Sequence, residues 1–578
     1  MTCPRTRTAL AALASFGILL FNGISTCHAQ LANDTYLVEL ADKTWGASYP
    51  FTLEAPEDFL SERALERRAR QGVSLDSLDL PVSPEVLEVL DALPDWQVVH
   101  ASKWMSSVTL AGRDSLADTL SVLDLSFVAG LKRTRPLRTF PRTLDAPKES
   151  VTKALIPSSE YGSGWLALDQ LNAQSLHALG FNGTGLWVGV LDAGFQGADV
   201  LPAFESMRDE GRLVVPDGAN VAFGGNDVFA HSRHGASVLG TMGLSWSDSL
   251  VGTAPGATYF AFVTEDVTQE RRIEEEHWIV AAERADSLGI DLLNTSLGYS
   301  LFDDTASNYL TTQLDGATAR ISVASEIAAT RGMLVVTSAG NNGDDPWRTI
   351  TFPADAKDIL SVGAVRGNGT HGWFSGFGPS ADGRIKPEVM ALGVQTPYPR
   401  FDGTVGTGNG TSFASPILCG AAASLWQAHP EATAAELRQA ILASAHLYAA
   451  PNDSMGYGIP DMWRAHLLLG GEDLPTPGTS PFNLFPNPTS SAGTLRWTLS
   501  SETAVDWGGL DELHWKVFNA QGQQSSKGTV PVWADPHLSG HVDLAPLALP
   551  PGHYTMVLED AAGLRRHSAT FVVLAPSR

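Results

Sequence analysis

The chain has 578 residues, with 38 Lys and Arg set against 63 Asp and Glu, a formal charge of −25. That charge argues against nucleic acid or an anionic membrane surface as a partner. Hydrophobic content of 43% and charged content of 17% exclude a disordered chain, and the length exceeds what one ordinary core accommodates.

Residues 1–29 read as a targeting segment. Arg5 and Arg7 precede the apolar run ALAALASFGILLF (9–21), and CHA (27–29) ends in a small residue, so cleavage is expected before Gln30. A membrane anchor is the alternative reading. No later run is long enough to span a bilayer. Of Cys3, Cys27 and Cys419, the first two leave with this segment, so the mature chain is expected to hold one thiol and no internal disulfide. Cys419 lies in SPILCGAAASLW and reads as a small buried hydrophobe.

Residues 31 to about 145 mix strand-like TYLVEL and SSVTL with an amphipathic helix, PEDFLSERALERRARQG, which ends at Gly72. RTRPLRTFPRTLDAPKES (133–150) is basic and proline-rich and reads as an exposed linker. From about 160 to 470, apolar runs alternate with helical stretches. The runs are LWVGVLDAG (186–194), DLLNTSLG (291–298), MLVVTSAGNNG (333–343) and DILSVGAV (358–365). Unalternated apolar strands separated by helices predict a parallel sheet covered on both faces. The acidic run Glu274–Glu276 reads as the solvated face of one such helix. GGEDLPTPGTSP (470–481) is a linker. The strands beyond it, among them TLRWTLS and HWKVFNAQGQ, alternate and show no helical period, which predicts a small β-sandwich.

Four residues could cooperate in chemistry. A serine hydroxyl needs a base, an acid to orient that base, and donors for a developing oxyanion. Asp192 ends an apolar strand, where active groups of an open parallel sheet gather; alone it could equally be a turn or cap residue. His234 opens the glycine-rich stretch HGASVLGTMG. Together with His231 it forms an i, i+3 pair, but without HExxH or a cysteine cluster a metal site is not indicated. Asn341 ends another strand and could donate to an oxyanion. Ser412 stands in GNGTSFASP, where a turn becomes a buried small-residue helix whose first N–H groups are free; alone it is no better than a capping serine. The G-x-S-x-G elbow is absent, since 410–414 reads GTSFA, and the order Asp, His, Ser on a parallel sheet is the subtilisin arrangement.

On these motifs, residues 160–470 resemble the subtilisin-like serine peptidases: VLDAG around Asp192, HGASVLGT around His234, SAGNN around Asn341 and GTSFASP around Ser412, with VGTAPGA (251–257) and NTSLG (294–298) between. Ala193 departs from the Ser or Thr that many members carry there. The resemblance implies an α/β three-layer fold with a parallel sheet. It implies Ser412 as nucleophile, His234 as general base and then acid, Asp192 as the group holding the imidazole, and Asn341 with the Ser412 N–H as oxyanion donors. Ser296, Leu297 and Gly298 would pair with the substrate backbone and wall the primary specificity pocket. No cofactor is required. Calcium is a structural ion in many members, with no ligand run identified here.

The N-terminal region resembles the propeptide of Bacteroidetes-type members in PEDFLSERALERRARQG, DLPVSPEVLEVL and ASKWMSSVTL. This implies a small α+β folding aid and inhibitor, removed by self-cleavage between about 145 and 160, and a slowly forming parallel sheet gains from such a template. The C-terminal region resembles the sorting domain of the type IX secretion system in NLFPNPTSS (483–491), VFNAQGQ (517–523) and DLAPLALPPGHYTMVLED, which implies that machinery as a partner. The expected division is 1–29 signal peptide, 30–155 propeptide, 156–470 peptidase, 471–482 linker and 483–578 β-sandwich. The expected function is an exported, self-processing serine endopeptidase acting on polypeptides, secreted or attached to the outer surface. A catalytically silent adhesin and an esterase on the same scaffold are the alternatives.

Overall fold

A computed structural model describes residues 34–112, 116–134, 161–246 and 248–471, and within the C-terminal region 482–485, 489–490, 494–499, 512–519, 523–531, 539–560 and 566–574. The expected targeting segment, residues 135–150 of the basic stretch, the expected self-cleavage region and linker residues 472–481 lie outside the described residues. Among the described residues no helix is long and apolar enough to cross a membrane.

The N-terminal region is a four-stranded antiparallel sheet. Its strands are β1 (Asp34–Leu40), β2 (Trp96–Ser102), β3 (Ser107–Gly112) and β4 (Val128–Arg133), in the order β2-β3-β1-β4. Tyr36 and Val38 of β1 pack with Val108 and Leu110 of β3 over helix α2 (Pro84–Asp91), which contributes Val86 and Leu90. Helix α1 (Glu62–Gln71) starts where Ser61 Oγ accepts the Ala64 N–H at 3.1 Å. It stops at Gly72, whose φ of 65° lets its N–H return to the last turn.

The central region is built on a seven-stranded sheet: β5 (Trp187–Asp192), β6 (Leu213–Val214), β7 (Thr258–Val263), β8 (Leu292–Thr295), β9 (Leu334–Ser338), β10 (Leu360–Val365) and β11 (Val389–Leu392). The order is β11-β10-β9-β8-β5-β7-β6 and every pairing is parallel. Because β8 is buried along its length, it carries apolar side chains toward both faces. Its last residue, Thr295, sits level with Leu191 on one side and Thr337 on the other. The residues that follow these three strands positions, Asp192, Ser296 and Ser338, therefore share one carboxyl-end edge. The long helix α7 (Thr411–Ala428) crosses strands β8 to β11 and packs beside α4 (His234–Gly243). It is buried from Phe413 to Trp426 because its small residues let it approach closely; a Cβ at Gly420 would lie 2.1 Å from Thr253 Oγ1. Cys419 is buried in it, and burial pushes the thiol far above its ordinary range.

Helices α5 (Ile273–Leu288) and α6 (Arg320–Thr330) form a second packed pair, and the N-terminal region docks on α5 through α1 and β2. Here one expectation fails. Glu274, Glu275 and Glu276 are buried, not solvated. Glu274 accepts the N–H groups of Asp266 (2.9 Å) and Arg271 (2.8 Å). Glu275 takes the Tyr309 hydroxyl at 2.9 Å and Arg272 at 3.0 Å, and Glu276 takes Arg320 at 2.6 Å. Tyr309 of the 299–310 loop covers Glu275 and Arg320 of α6 covers Glu276, and the donors offset part of the lost hydration, although burial still holds Glu274 and Glu275 above the usual carboxylate range.

The docked surface is itself charged. Arg67 and Arg68 of α1 are buried against Asp286 of α5, and Arg68 also holds Asp79 at 2.8 Å. Glu283 of α5 receives Ser102 Oγ (2.5 Å) and the N–H groups of Lys103 and Trp104 (both 3.0 Å). Arg331 reaches Asp76 at 2.8 Å. His100 of β2 stands edge-on to His277 of α5, with ring centroids 5.0 Å apart.

In the C-terminal region, strands Phe482–Phe485, Thr494–Leu499 and Ser539–Asp543 form one antiparallel sheet. Thr489–Ser490, Glu512–Asn519, Gln524–Pro531, Gly552–Asp560 and Arg566–Leu574 form a second. Leu495, Trp497 and Val542 from the first meet Leu513, Val517, Met556 and Leu558 from the second in one core, which makes a β-sandwich.

Candidate active site

Asp192 closes β5 and is fully buried. Its Oδ1 accepts the N–H of Ala193 and pairs with Nδ1 of His234, both at 2.7 Å, while Oδ2 is buried with no donor among the described residues. His234 is the first residue of α4. Its neighbour must be glycine: a Cβ at 235 would stand 2.7 Å from the Gly194 carbonyl and 3.0 Å from Asp192 Cβ. The bare backbone lets the helix start close on the strand end, with the Gly235 N–H donating to that carbonyl at 2.9 Å. Burial disfavours the imidazolium, but the Asp192 charge and hydrogen bond outweigh it and hold the His234 pKa above its ordinary value. The ring stays 36% exposed against 0% for its carboxylate partner, so one side remains open to a substrate.

Ser412 is in the first turn of α7. Its hydroxyl donates to the Ser296 carbonyl at 3.1 Å, and Ser296 Oγ donates to the Ser412 carbonyl at 2.9 Å. This reciprocal pair ties the helix start to the end of β8. Asn341 lies just beyond β9. Its Oδ1 accepts both the N–H (2.8 Å) and the hydroxyl (2.9 Å) of Thr411, which assigns the amide orientation and leaves Nδ2 as a free donor. The point where a Cβ would stand on Gly410 lies 3.6 Å from the Ser412 nitrogen, 3.7 Å from Asn341 Nδ2 and 3.8 Å from Ser412 Cβ. Two donors thus converge beside the serine. Ser296, Leu297 and Gly298 run on from β8, with Leu297 half-buried and Gly298 exposed, and Ser338 Oγ steadies the Leu297 carbonyl at 3.3 Å.

Asp192, His234, Ser412, Asn341 and the 296–298 edge therefore lie at the carboxyl end of one sheet. His231 does not join them; its ring stacks on Phe223 at 3.8 Å. Among the described residues no three His, Cys, Asp or Glu are grouped to hold a metal ion. One contributor was not singled out from sequence: Thr411, which orients Asn341, stood in plain view inside GTS.

Residues 183–458 match the Subtilase family, Peptidase S8, a span that contains all four of these side chains. Residues 35–150 match the Peptidase S8 propeptide domain of Bacteroidota. Over 317 residues the chain is 30% identical to Subtilisin NAT of Bacillus subtilis subsp. natto and to Subtilisin E of Bacillus subtilis strain 168, covering 54% of this chain and 73% of each relative. It is 31% identical over 281 residues to a Bacillus pumilus subtilisin, covering 48% of this chain and 90% of that one. Sheet, site and similarity define a serine-type endopeptidase, a hydrolase whose substrates are polypeptides. The chain belongs to the subtilase family, with a propeptide of the Bacteroidota type at its N-terminal side.

Proposed function

We propose that Ser412 is the nucleophile of an exported, self-processing endopeptidase, with His234 as its general base and Asp192 as the group that fixes the imidazole. The observation that carries this is the 2.7 Å bond between buried Asp192 and half-exposed His234, on the edge that also holds Ser412 and Asn341. Nδ1–H donates to the carboxylate, so Nε2 is the basic nitrogen. The Ser412 hydroxyl leaves the Ser296 carbonyl by rotation about its Cα–Cβ bond, gives its proton to Nε2 and attacks the scissile carbonyl. Static hydrogen bonds of this kind tighten on substrate binding. The tetrahedral oxyanion forms against Asn341 Nδ2 and the Ser412 N–H. Imidazolium then protonates the leaving amine, and water repeats the sequence on the acyl-enzyme. The substrate backbone adds as a strand along 296–298. No metal or cofactor enters these steps.

The region ending near residue 155 acts as inhibitor and folding template until the new enzyme cuts it away, and residues 483–578 carry the chain to the type IX machinery for release or surface attachment. Ser412→Ala should leave the propeptide attached and stop peptide hydrolysis, while the wild type should react with a fluorophosphonate at Ser412. No labelling in folded, processed protein would favour an adhesin. Turnover of esters with none of peptides would make it an esterase.

A further inference from the structure

The turn that follows β10 builds a cleft at a distance from the substrate edge, near the start of α7. Arg366 directly follows β10, and its N–H meets the Thr370 carbonyl at 2.8 Å, so the chain doubles back. Gly372 returns its N–H to the Ala364 carbonyl at 2.8 Å, and a Cβ there would fall 3.1 Å from Val394 Cγ2, so bare backbone lays the turn against the chain leaving β11. Between this turn, Val394, Gln395 and Asn409 lies a cleft of about 260 Å³. Asn409 Oδ1 accepts the N–H of Gln395, which sits at a φ of 56°, at 2.8 Å; this assigns Asn409 Nδ2 as the donor left over. Arg366 Nη1 goes to the His371 carbonyl at 2.5 Å, and Arg366 Cζ stands 5.4 Å from the centre of the Trp373 ring, which is 47% exposed. Among the described residues no carboxylate pairs with Arg366, and its Nε and Nη2, Asn409 Nδ2 and Trp373 Nε1 have no acceptor. Elsewhere in this acidic chain guanidinium groups such as Arg320 and Arg331 are met by carboxylates. A guanidinium fork stacked on an indole, with a free amide donor in the same cleft, is a receptor for a carboxylate.

Asn409 precedes Ser412 by three residues, a span of at most about 11 Å of extended chain, and the Gly410 N–H is tied to the Gly393 carbonyl at 2.8 Å. In the sheet order β11-β10-β9-β8 the cleft belongs to β10 and β11, whereas residues 296–298 follow β8 and Asn341 follows β9 between them. We propose that Arg366, Trp373 and Asn409 bind a carboxylate of the leaving peptide two or three residues past the scissile bond, and that the group they take is the terminal α-carboxylate. The enzyme would then have a second activity, the release of di- and tripeptides from carboxyl termini. This rests on the reading of Ser412 as nucleophile and of 296–298 as the substrate edge: with the acyl part laid on the β8 side, the leaving part runs toward β10 and β11. The acidic chain as a whole repels a carboxylate, so a local guanidinium without an acid partner is what makes such a terminus welcome.

The test takes a peptide that the processed enzyme cuts and remakes it with two, three or six residues after the cut, each as free acid and as carboxamide. Product separation gives kcat/KM, and fluorophosphonate labelling of Ser412 runs in parallel. With two or three residues the free acid should be cut about tenfold faster than the amide, the order of effect of one charge-assisted hydrogen bond; with six the two should match. Arg366→Met should bring the acid-to-amide ratio toward one. Should that variant fail to fold, Trp373→Ala, at an exposed position, should lower the ratio and is read the same way. Amides carrying Glu or Gln three residues after the cut separate the two sources of carboxylate. No gain from Glu assigns the cleft to chain termini, whereas a gain as large as the free acid's assigns it to acidic side chains and overturns the second activity. Equal rates for acid and amide in labelled wild type overturn the cleft, as does an acid preference that survives the substitutions. Absence of labelling in wild type defeats the catalytic reading itself.

Discussion

Asp192 and Asp286 are both fully buried carboxylates in the central region, and they are treated in opposite ways. Asp286 is saturated. Arg67 and Arg68 pair with it and Lys103 approaches to 3.5 Å, so that although burial opposes ionisation, these charges hold its pKa below the usual carboxylate range. Asp192 has one half-exposed histidine, and all its donors fall on a single oxygen. The carboxylate that joins two regions is surrounded by cations, whereas the one proposed to steer a proton is left a single half-exposed histidine. The saturation of Asp286 also comes almost wholly from the propeptide side, so it lasts only while that region is docked. Removing the propeptide exposes Asp286 and Glu283 to water, which pays their hydration back.

The comparison breaks first at Asp192. Asp192→Asn keeps the shape but loses the charge that selects the tautomer, and kcat should fall about 10⁴-fold, measured on a peptide substrate after maturation. It should also move the acidic limb of kcat/KM. With Asp192 present the His234 pKa is raised above 6.5, so activity should be lost as pH falls through a value above 6.5, because only neutral imidazole accepts the serine proton. The asparagine variant should shift that limb downward. Asp286→Ala comes next: it strands the buried Arg67 guanidinium and leaves Arg68 with Asp79 alone, and breaking such a buried cluster costs about 3–5 kcal/mol. Denaturant unfolding of the unprocessed Ser412→Ala chain should show that loss, and the same substitution in mature enzyme should show far less. Asn341→Leu should lower kcat by about 10²–10³ with little change in KM, since its donor acts on the transition state.

The same contrast shows what could be read from sequence. The parallel sheet was legible because β5, β8 and β9 open on consecutive apolar residues without polar alternation, and only Ser361 is polar in β10. Asp192, Asn341 and Ser412 were legible because each stands at the end of such a run or the start of a helix. The Glu274–Glu276 run was misread because its partners lie far along the chain. Tyr309 is 34 residues from Glu275 and Arg320 is 44 from Glu276, and no local period announces a loop that folds back over a charged helix face. Helix α5 is pressed between sheet and propeptide, so most of its polar residues, from Glu274 to His277 and at Glu283 and Asp286, are buried.

The interface should also loosen in acid. Burial lowers the His277 pKa to about 4, against weaker opposing effects of the Thr264 carbonyl and Asp266, and burial with the neighbouring His277 holds His100 well below 6.5. Asp266 is the charge that acts on His277, and the adjacent Glu276 is held by Arg320. Between pH 6.5 and about 4 the separated histidines bind more protons than the docked pair, so docking should weaken as pH falls through that window. Limited proteolysis of the Ser412→Ala chain across this range measures it, and His100→Leu should flatten the dependence.

The smallest effect is the most local. Ala193 follows Asp192 directly and its N–H serves Oδ1, which leaves the buried Oδ2 without a donor among the described residues. Ala193→Ser is expected to supply that donor, and a hydrogen bond to a charged group is worth about 1.5–3 kcal/mol before the hydroxyl's own desolvation is subtracted. A net gain of about 1 kcal/mol is expected, read as a rise in the unfolding midpoint of the Ser412→Ala chain. The same bond stabilises the Asp192 carboxylate in competition with the imidazolium, so the acidic limb of kcat/KM should move slightly down in the active enzyme. A stability gain with no movement of that limb would mean that the hydroxyl has found another acceptor, and that Oδ2 plays no part in tuning His234.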